Sequence, residues 1–152
     1  MSRIQINKTS GTGYSKVIAL DGYVSESIDP ALKDLIFLRV SQLNGCNYCV
    51  DAHAIDLLGD GVAQRKVLAV AAWHHSEFFT PRERVALEFA EALTRMTSAG
   101  VPDELWARAA DTFGEKELGD LVLAVGLINL WNRVGVAALL QPEAPLEPST
   151  EG

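Results

Sequence analysis

The chain has 152 residues, 48% hydrophobic and 22% charged. That is the composition of one globular domain with a substantial buried core, not of a disordered or fibrous chain. Its 13 basic and 20 acidic residues leave a formal net charge of −7, and no Lys/Arg cluster is interleaved with aromatics. Neither a nucleic-acid backbone nor an anionic membrane surface finds a general electrostatic partner here.

In chain order, residues 1–28 begin without the apolar core of a signal peptide. They carry few periodic apolar positions, and Gly11, Gly13 and Gly22 interrupt them. They read as an extended arm, packed on the domain or on a neighbouring subunit. Asp29-Pro30 is a helix start, with Asp as N-cap and Pro at the first helical position. Leu32, Leu35, Ile36, Leu38, Val40 and Leu43 then give a near-continuous apolar face, the pattern of a mostly buried helix. Asn44-Gly45 ends it, Gly45 suiting a left-handed C-terminal position. A second helix runs from about Cys46 to Leu57 or Leu58 and stops at Gly59-Asp60-Gly61. A third covers roughly Val62 to Trp73.

Thr80-Pro81-Arg82-Glu83 is a capping box and opens a fourth helix. Gly100-Val101-Pro102 separates it from a shorter helix ending near Phe113-Gly114. A last helix spans about Glu115 to Leu140, with Leu118, Leu121, Val122, Val125 and Ile128 at helical spacing. Its most apolar stretch, Leu121 to Trp131, is too short to cross a bilayer, and Asp120 and Arg133 flank it. Residues 141–152 are Pro-rich and acidic, a disordered tail. The expected fold is therefore all-α: one helical domain over residues 29–140, soluble and cytoplasmic.

The chemistry concentrates in Cys46-Asn47-Tyr48-Cys49. The cytoplasm keeps thiols reduced, so two cysteines three positions apart point to metal binding or redox chemistry. At the start of a helix their sulfurs can meet with little backbone movement. The free amides there favour the thiolate, the form that attacks peroxides and disulfides. His53 follows Cys49 by four residues, on the same helical face, where an imidazole can take or return a proton. Two rival readings remain: a pair of buried small hydrophobes, or zinc held by Cys46, Cys49 and His53 with His74 or His75 as fourth ligand. Zinc ranks below redox, because structural zinc pairs sit on a knuckle turn. Arg39, Asn132 and Arg133, polar residues inside apolar helices, read as members of a structural hydrogen-bond network.

The run Leu32 to His53, containing Arg39-Val-Ser-Gln-Leu-Asn-Gly-Cys-Asn-Tyr-Cys-Val-Asp-Ala-His53, resembles the core motif of the carboxymuconolactone decarboxylase superfamily, in its alkylhydroperoxidase D-like branch. Ala71-Ala-Trp73, Phe79-Thr-Pro-Arg-Glu-Arg84 and Ile128-Asn-Leu-Trp-Asn-Arg133 are similar to further landmarks of that branch. The resemblance covers roughly residues 28–140. It implies an all-α bundle that assembles into dimers, trimers or hexamers, and a thiol peroxidase with no bound cofactor. By that resemblance Cys49 attacks the hydroperoxide, Cys46 resolves the sulfenic acid into a disulfide, and His53 with Asp34 forms the proton relay. An external dithiol, a lipoyl group or a thioredoxin-like protein, resets the pair. Two residues depart from the branch's pattern. Asp34 stands where Glu is usual, one methylene shorter, which suggests a water bridge in place of a direct contact. Tyr48 replaces a histidine that the best-known members carry, which removes one imidazole from the relay. The superfamily also contains lactone decarboxylases that work without a dithiol, so a non-redox enzyme is the other implied function.

Overall fold

A computed structural model describes residues 2–143. Its central element is α3 (Pro30–Asn44). The Asp29 carboxylate accepts the Leu32 amide at 3.0 Å, and Gly45 closes the helix with a left-handed φ of 69°. Both ends therefore lie where local chemistry puts them. Leu35, Ile36, Phe37, Leu38 and Val40 are all buried. No face of this segment meets solvent, because one side feeds each of two cores. Ile36, Phe37 and Val40 join the larger core, with Phe89, Leu121 and Ile128. Leu35 and Leu38 join the smaller one, with Leu57, Trp73 and Phe79.

α4 (Asn47–Gly59) follows after two residues and packs on α3. α5 (Gln64–Ala69) runs into a 3₁₀ turn, Val70–His75, where a single helix from Val62 to Trp73 was expected. α6 (Pro81–Thr94) opens with the expected capping box, the Glu83 amide donating to Thr80 Oγ1 at 3.2 Å and the Thr80 amide to Glu83 Oε2 at 2.8 Å. α7 (Asp103–Ala138) breaks helical geometry at Gly114, whose φ of 70° is open to glycine. This is the point where a shorter helix was expected to end. By length and composition α7 passes as a membrane span. Its Leu118, Leu121, Val125 and Ile128 are instead core residues packed among α3 and α6. Among the described residues there is no β-strand, and the fold is all-α as expected.

The first 28 residues are not extended. They form a short α1 (Ile6–Thr9) and a long α2 (Gly11–Ser27). Val17, Leu20, Val24 and Ile28 fall on one helical face and pack into the larger core. Burying that stripe outweighs the roughly 1 kcal/mol that each helical glycine costs. Tyr23 ties α2 to α7 by donating to Asp120 Oδ1 at 2.8 Å. The Lys116 hydrogen bond, and less strongly that of Tyr23, hold the Asp120 carboxyl below its ordinary range against the opposing effect of burial. Of the tail expected to be disordered, residues 144–152 lie outside the described residues.

Buried polar side chains join the helices. Asn132 donates to Ser41 Oγ at 2.9 Å and accepts from Asn44 Nδ2 at 2.9 Å, coupling α7 to α3. Arg133 is exposed, and its guanidinium returns to the Asn129 carbonyl at 2.7 Å, so it covers the network's edge. Arg39 donates to Glu91 Oε1 at 2.7 Å, and the Trp73 indole donates to the same oxygen at 2.8 Å. Burial alone would raise the Glu91 carboxyl. Hydrogen bonds from Trp73 and Arg39, with the charges of Arg39 and Arg95, outweigh it and hold the group below the ordinary glutamate value of 4.5.

A carboxyl held low in the folded state contributes stability that is complete above its unfolded value and is lost as pH falls through its folded value. Glu91→Gln should therefore flatten the loss of stability below pH about 4.5, and near neutrality it should cost about 3–5 kcal/mol by leaving the Arg39 charge uncompensated. Urea unfolding at pH 7 and pH 4 measures both effects. An unchanged midpoint at pH 7 would contradict this role.

Candidate redox site

The left-handed turn at Gly45 swings the chain so that Cys46 becomes the N-cap of α4. Cys46 Sγ accepts the Cys49 amide at 3.3 Å, and the two cysteines form a disulfide with Cα atoms 5.3 Å apart. Once reduced, the pair lies against the free amides of a helix start, which stabilise negative charge.

His53 lies one turn after Cys49 on α4, and its Nδ1 is 3.1 Å from Asp34 Oδ1 on α3. The contact is direct, so the water bridge expected from the shorter side chain is not required: α3 and α4 pack closely enough to absorb the missing methylene. A proton on Nδ1 would be donated to the Asp34 carboxylate, which leaves Nε2 as the acceptor. The Phe37 ring meets the imidazole edge-on, with centroids 5.0 Å apart, and fixes its plane. Asp34 is buried, and Lys33 Nζ at 3.5 Å from Oδ1 offsets part of its charge.

A cleft of about 240 Å³ opens onto this arrangement. Cys49 and His53 are on its wall together with Tyr48, Trp131, Tyr14 and Asp21, whereas Cys46 is not. The two sulfurs are therefore inequivalent toward anything that enters. Cys46 is buried beneath α7 at Gly135, where a Cβ would stand 2.6 Å from Cys46 Sγ and 3.3 Å from Cys49 Sγ. Only a residue without a side chain lets α7 lie this close to the disulfide.

The pairing of Cys46 with Cys49 occupies both sulfurs, so in this state they are not available to the zinc site weighed from the sequence. His74 is not beside them either: it stacks on Trp73 and lies 3.4 Å from Glu91. Among the described residues, Asp34, His53 and Asp56 can offer three ligand atoms within 4.8 Å of one another. Asp56 sits one turn beyond His53, with Oδ2 3.7 Å from Nδ1. Partial burial and then the Asp34 charge push its carboxyl up, against the pull of His53 and Lys33.

The structure thus brings Cys46, Cys49, His53 and Asp34 into one site. Sequence reasoning missed Asp56, Gly135, Tyr14 and Asp21. The i, i+3 spacing from His53 could have signalled Asp56. No local pattern signals the others, because they arrive from α2 and from the far end of α7.

A helical bundle with a dithiol at a helix start and a histidine–carboxylate pair behind it defines a class of dithiol proteins. The chain belongs to the carboxymuconolactone decarboxylase family, whose model matches residues 14–92, and to its alkylhydroperoxidase D-like branch. It is 35% identical over 136 residues to YdfG of Bacillus subtilis, an uncharacterized protein, covering 89% of this chain and 92% of that one. A solved protein of unknown function from Agrobacterium tumefaciens, a candidate AhpD antioxidant defence protein, superposes with a TM-score of 0.90 at 32% identity, over 97% of this chain and 100% of that one. The debrominase Bmp8, solved in complex with 2,3,4-tribromopyrrole, is similar with a TM-score of 0.74 at 25% identity, over 86% of this chain and 70% of that one. Family and neighbours support an antioxidant-related or carboxymuconolactone decarboxylase-like role.

Gly135→Ala should destabilise the oxidised protein by about 1–3 kcal/mol, the usual cost of overpacking. The reduced protein should lose less, because free thiols can rotate away from the new methyl. Denaturant unfolding with and without a strong dithiol reductant measures the difference. Equal losses in both states would contradict the close approach.

Proposed function

We propose that the chain is a thiol-dependent peroxidase that reduces organic hydroperoxides through the Cys46–Cys49 dithiol. The observation that carries this reading is the asymmetry of the pair: both sulfurs pack against Gly135, but Cys49 lines the cleft with His53 and Cys46 does not. An attacking thiolate must reach substrate, and a resolving thiol must reach only its partner.

In the reduced protein, His53 Nε2 takes the Cys49 proton, with Asp34 stabilising the imidazolium. The thiolate attacks the terminal oxygen of ROOH and the O–O bond breaks. The alkoxide takes the proton back from His53 and leaves as alcohol, and Cys49 becomes a sulfenic acid. The Cys46 sulfur then attacks Cys49 Sγ. The hydroxyl leaves as water, carrying the Cys46 proton, and the disulfide forms. Two electrons have passed from the dithiol to the peroxide. An external dithiol, a lipoyl group or a thioredoxin-like protein, returns them by exchange. No bound cofactor enters this sequence.

Similarity to the debrominase Bmp8 favours a second use of the same dithiol, as a two-electron reductant of a carbon–halogen bond. The non-redox alternative leaves the cysteine pair without a role. Assembly as a homo-oligomer in a reducing, cytoplasmic compartment belongs to the same proposal. Exposed Leu123 and Leu130, seven residues apart on one face of α7, supply an apolar strip for it.

Cys49→Ser should abolish turnover of cumene hydroperoxide by the dithiol-reduced protein, whereas Cys46→Ser should consume one equivalent and stop. Asp34→Asn should lower kcat/KM by about 10²-fold or more, the scale of a lost proton-transfer partner. Steady-state assays and thiol titration after one equivalent of peroxide read both results. Full steady-state activity in Cys49→Ser would overturn the assignment, and peroxide-inert thiols in the native protein would leave the debrominase reading to be assayed with a bromopyrrole.

A further inference from the structure

α2 does more than cover the core, because it supplies Tyr14 and Asp21 to the wall that also carries Cys49 and His53. At about 240 Å³ the cleft falls below the roughly 300–1,000 Å³ typical of drug-sized ligands, so the part of a ligand that reaches Cys49 is compact. Its flat surfaces are Tyr14, Tyr48 and Trp131, the first and last packed edge-on at 5.2 Å between centroids. Such walls favour an aryl or branched apolar body over a chain that needs length.

The fixed charge on the wall is negative. Asp21 is half-buried on it, and no Lys or Arg is among the described residues lining it. Lys33, the cation behind His53, is 3.5 Å from the Asp34 carboxylate and is taken up by it. The adjoining groove of about 420 Å³, which shares Tyr14 and Tyr48 with the cleft, adds Glu143 and again no described Lys or Arg. A carboxylate entering from that side meets like charge at the approach and again on the wall that carries Cys49.

We propose that this cleft selects compact, uncharged aromatic or branched organic substrates, and that Asp21 is the residue that turns carboxylate-bearing ones away. The inference names the substrate class of the peroxidase proposed above and rests on that reading for the reaction, though not for the binding.

Two product alcohols, cumyl alcohol and its para-carboxylate, test the binding without chemistry. Titration of the native protein and of Asp21→Asn by NMR or calorimetry should show the uncharged alcohol binding at least about tenfold tighter to the native protein. The ratio should shrink at least about threefold in Asp21→Asn, mainly through stronger binding of the carboxylate. Equal affinities in the native protein, binding of neither alcohol, or an unchanged ratio in the variant would each overturn the proposal. Turnover of the matching hydroperoxides separates the two readings. A charge preference in binding with no peroxide consumed keeps the ligand class and removes the peroxidase. Turnover of both hydroperoxides at equal kcat/KM keeps the peroxidase and removes the selection by Asp21.

Discussion

Asp34 is a buried carboxylate on a helix that also carries buried Leu35, Phe37 and Leu38, and burying an unpaired charge costs several kcal/mol. That cost constrains what surrounds it. α4 must present His53 to it at 3.1 Å, and Lys33 must lie within 3.5 Å. Because His53 is fixed by Asp34 and braced by Phe37, the helix that carries it is fixed too, and so is Cys49 one turn earlier. The position of the Cys49 sulfur thus follows from the electrostatics of α3. Lys33 also bears on the site: its ammonium lies against the same Asp34 oxygen that faces His53 Nδ1.

Three other elements close around that pair. α7 lies against the disulfide at Gly135, leaving Cys46 no route to solvent through the cleft. α2 and the Trp131 turn of α7 form the opposite wall. The polar contacts that hold these helices in place, Tyr23 to Asp120 and Asn132 to Ser41 and Asn44, lie outside the cleft. So does the Glu91 cluster, where Trp73 does its work. Several landmarks of the family therefore serve the scaffold: Trp73 buries the Glu91 charge, Thr80 and Glu83 cap α6, and Asn132 couples α7 to α3. Division of labour between a stiff polar scaffold and a small site frees the residues of the cleft from holding the helices together.

What was legible in the sequence was whatever depends on near neighbours along the chain. Asp29-Pro30, Asn44-Gly45, Thr80 with Glu83, and the break at Gly114 each act within a few residues, and each falls where the pattern put it. The dithiol at a helix start, with His53 one turn on, is local in the same sense. The N-terminal segment was misread because three glycines obscured a stripe of Val17, Leu20, Val24 and Ile28 whose helical spacing is otherwise regular. Its stability comes from docking on α7, and propensity does not report docking. The same non-locality hid the cleft. Tyr14, Asp21 and Gly135 stand far from Cys49 in sequence, and only the packing of α2 and α7 brings them to it. The Asp34–His53 distance was equally out of reach, since it depends on how closely two helices approach rather than on the length of one side chain.

The central claim is that Asp34, acting through His53, prepares Cys49 as the attacking thiolate. The direct measurement is the ultraviolet thiolate titration of the reduced protein carrying Cys46→Ser, with and without Asp34→Asn. The account predicts that Cys49 ionises well below the ordinary free-thiol value of about 8.5, and that Asp34→Asn moves it back up. A Cys49 thiol that titrates at or above that value, or one that is indifferent to the loss of Asp34, would contradict the account.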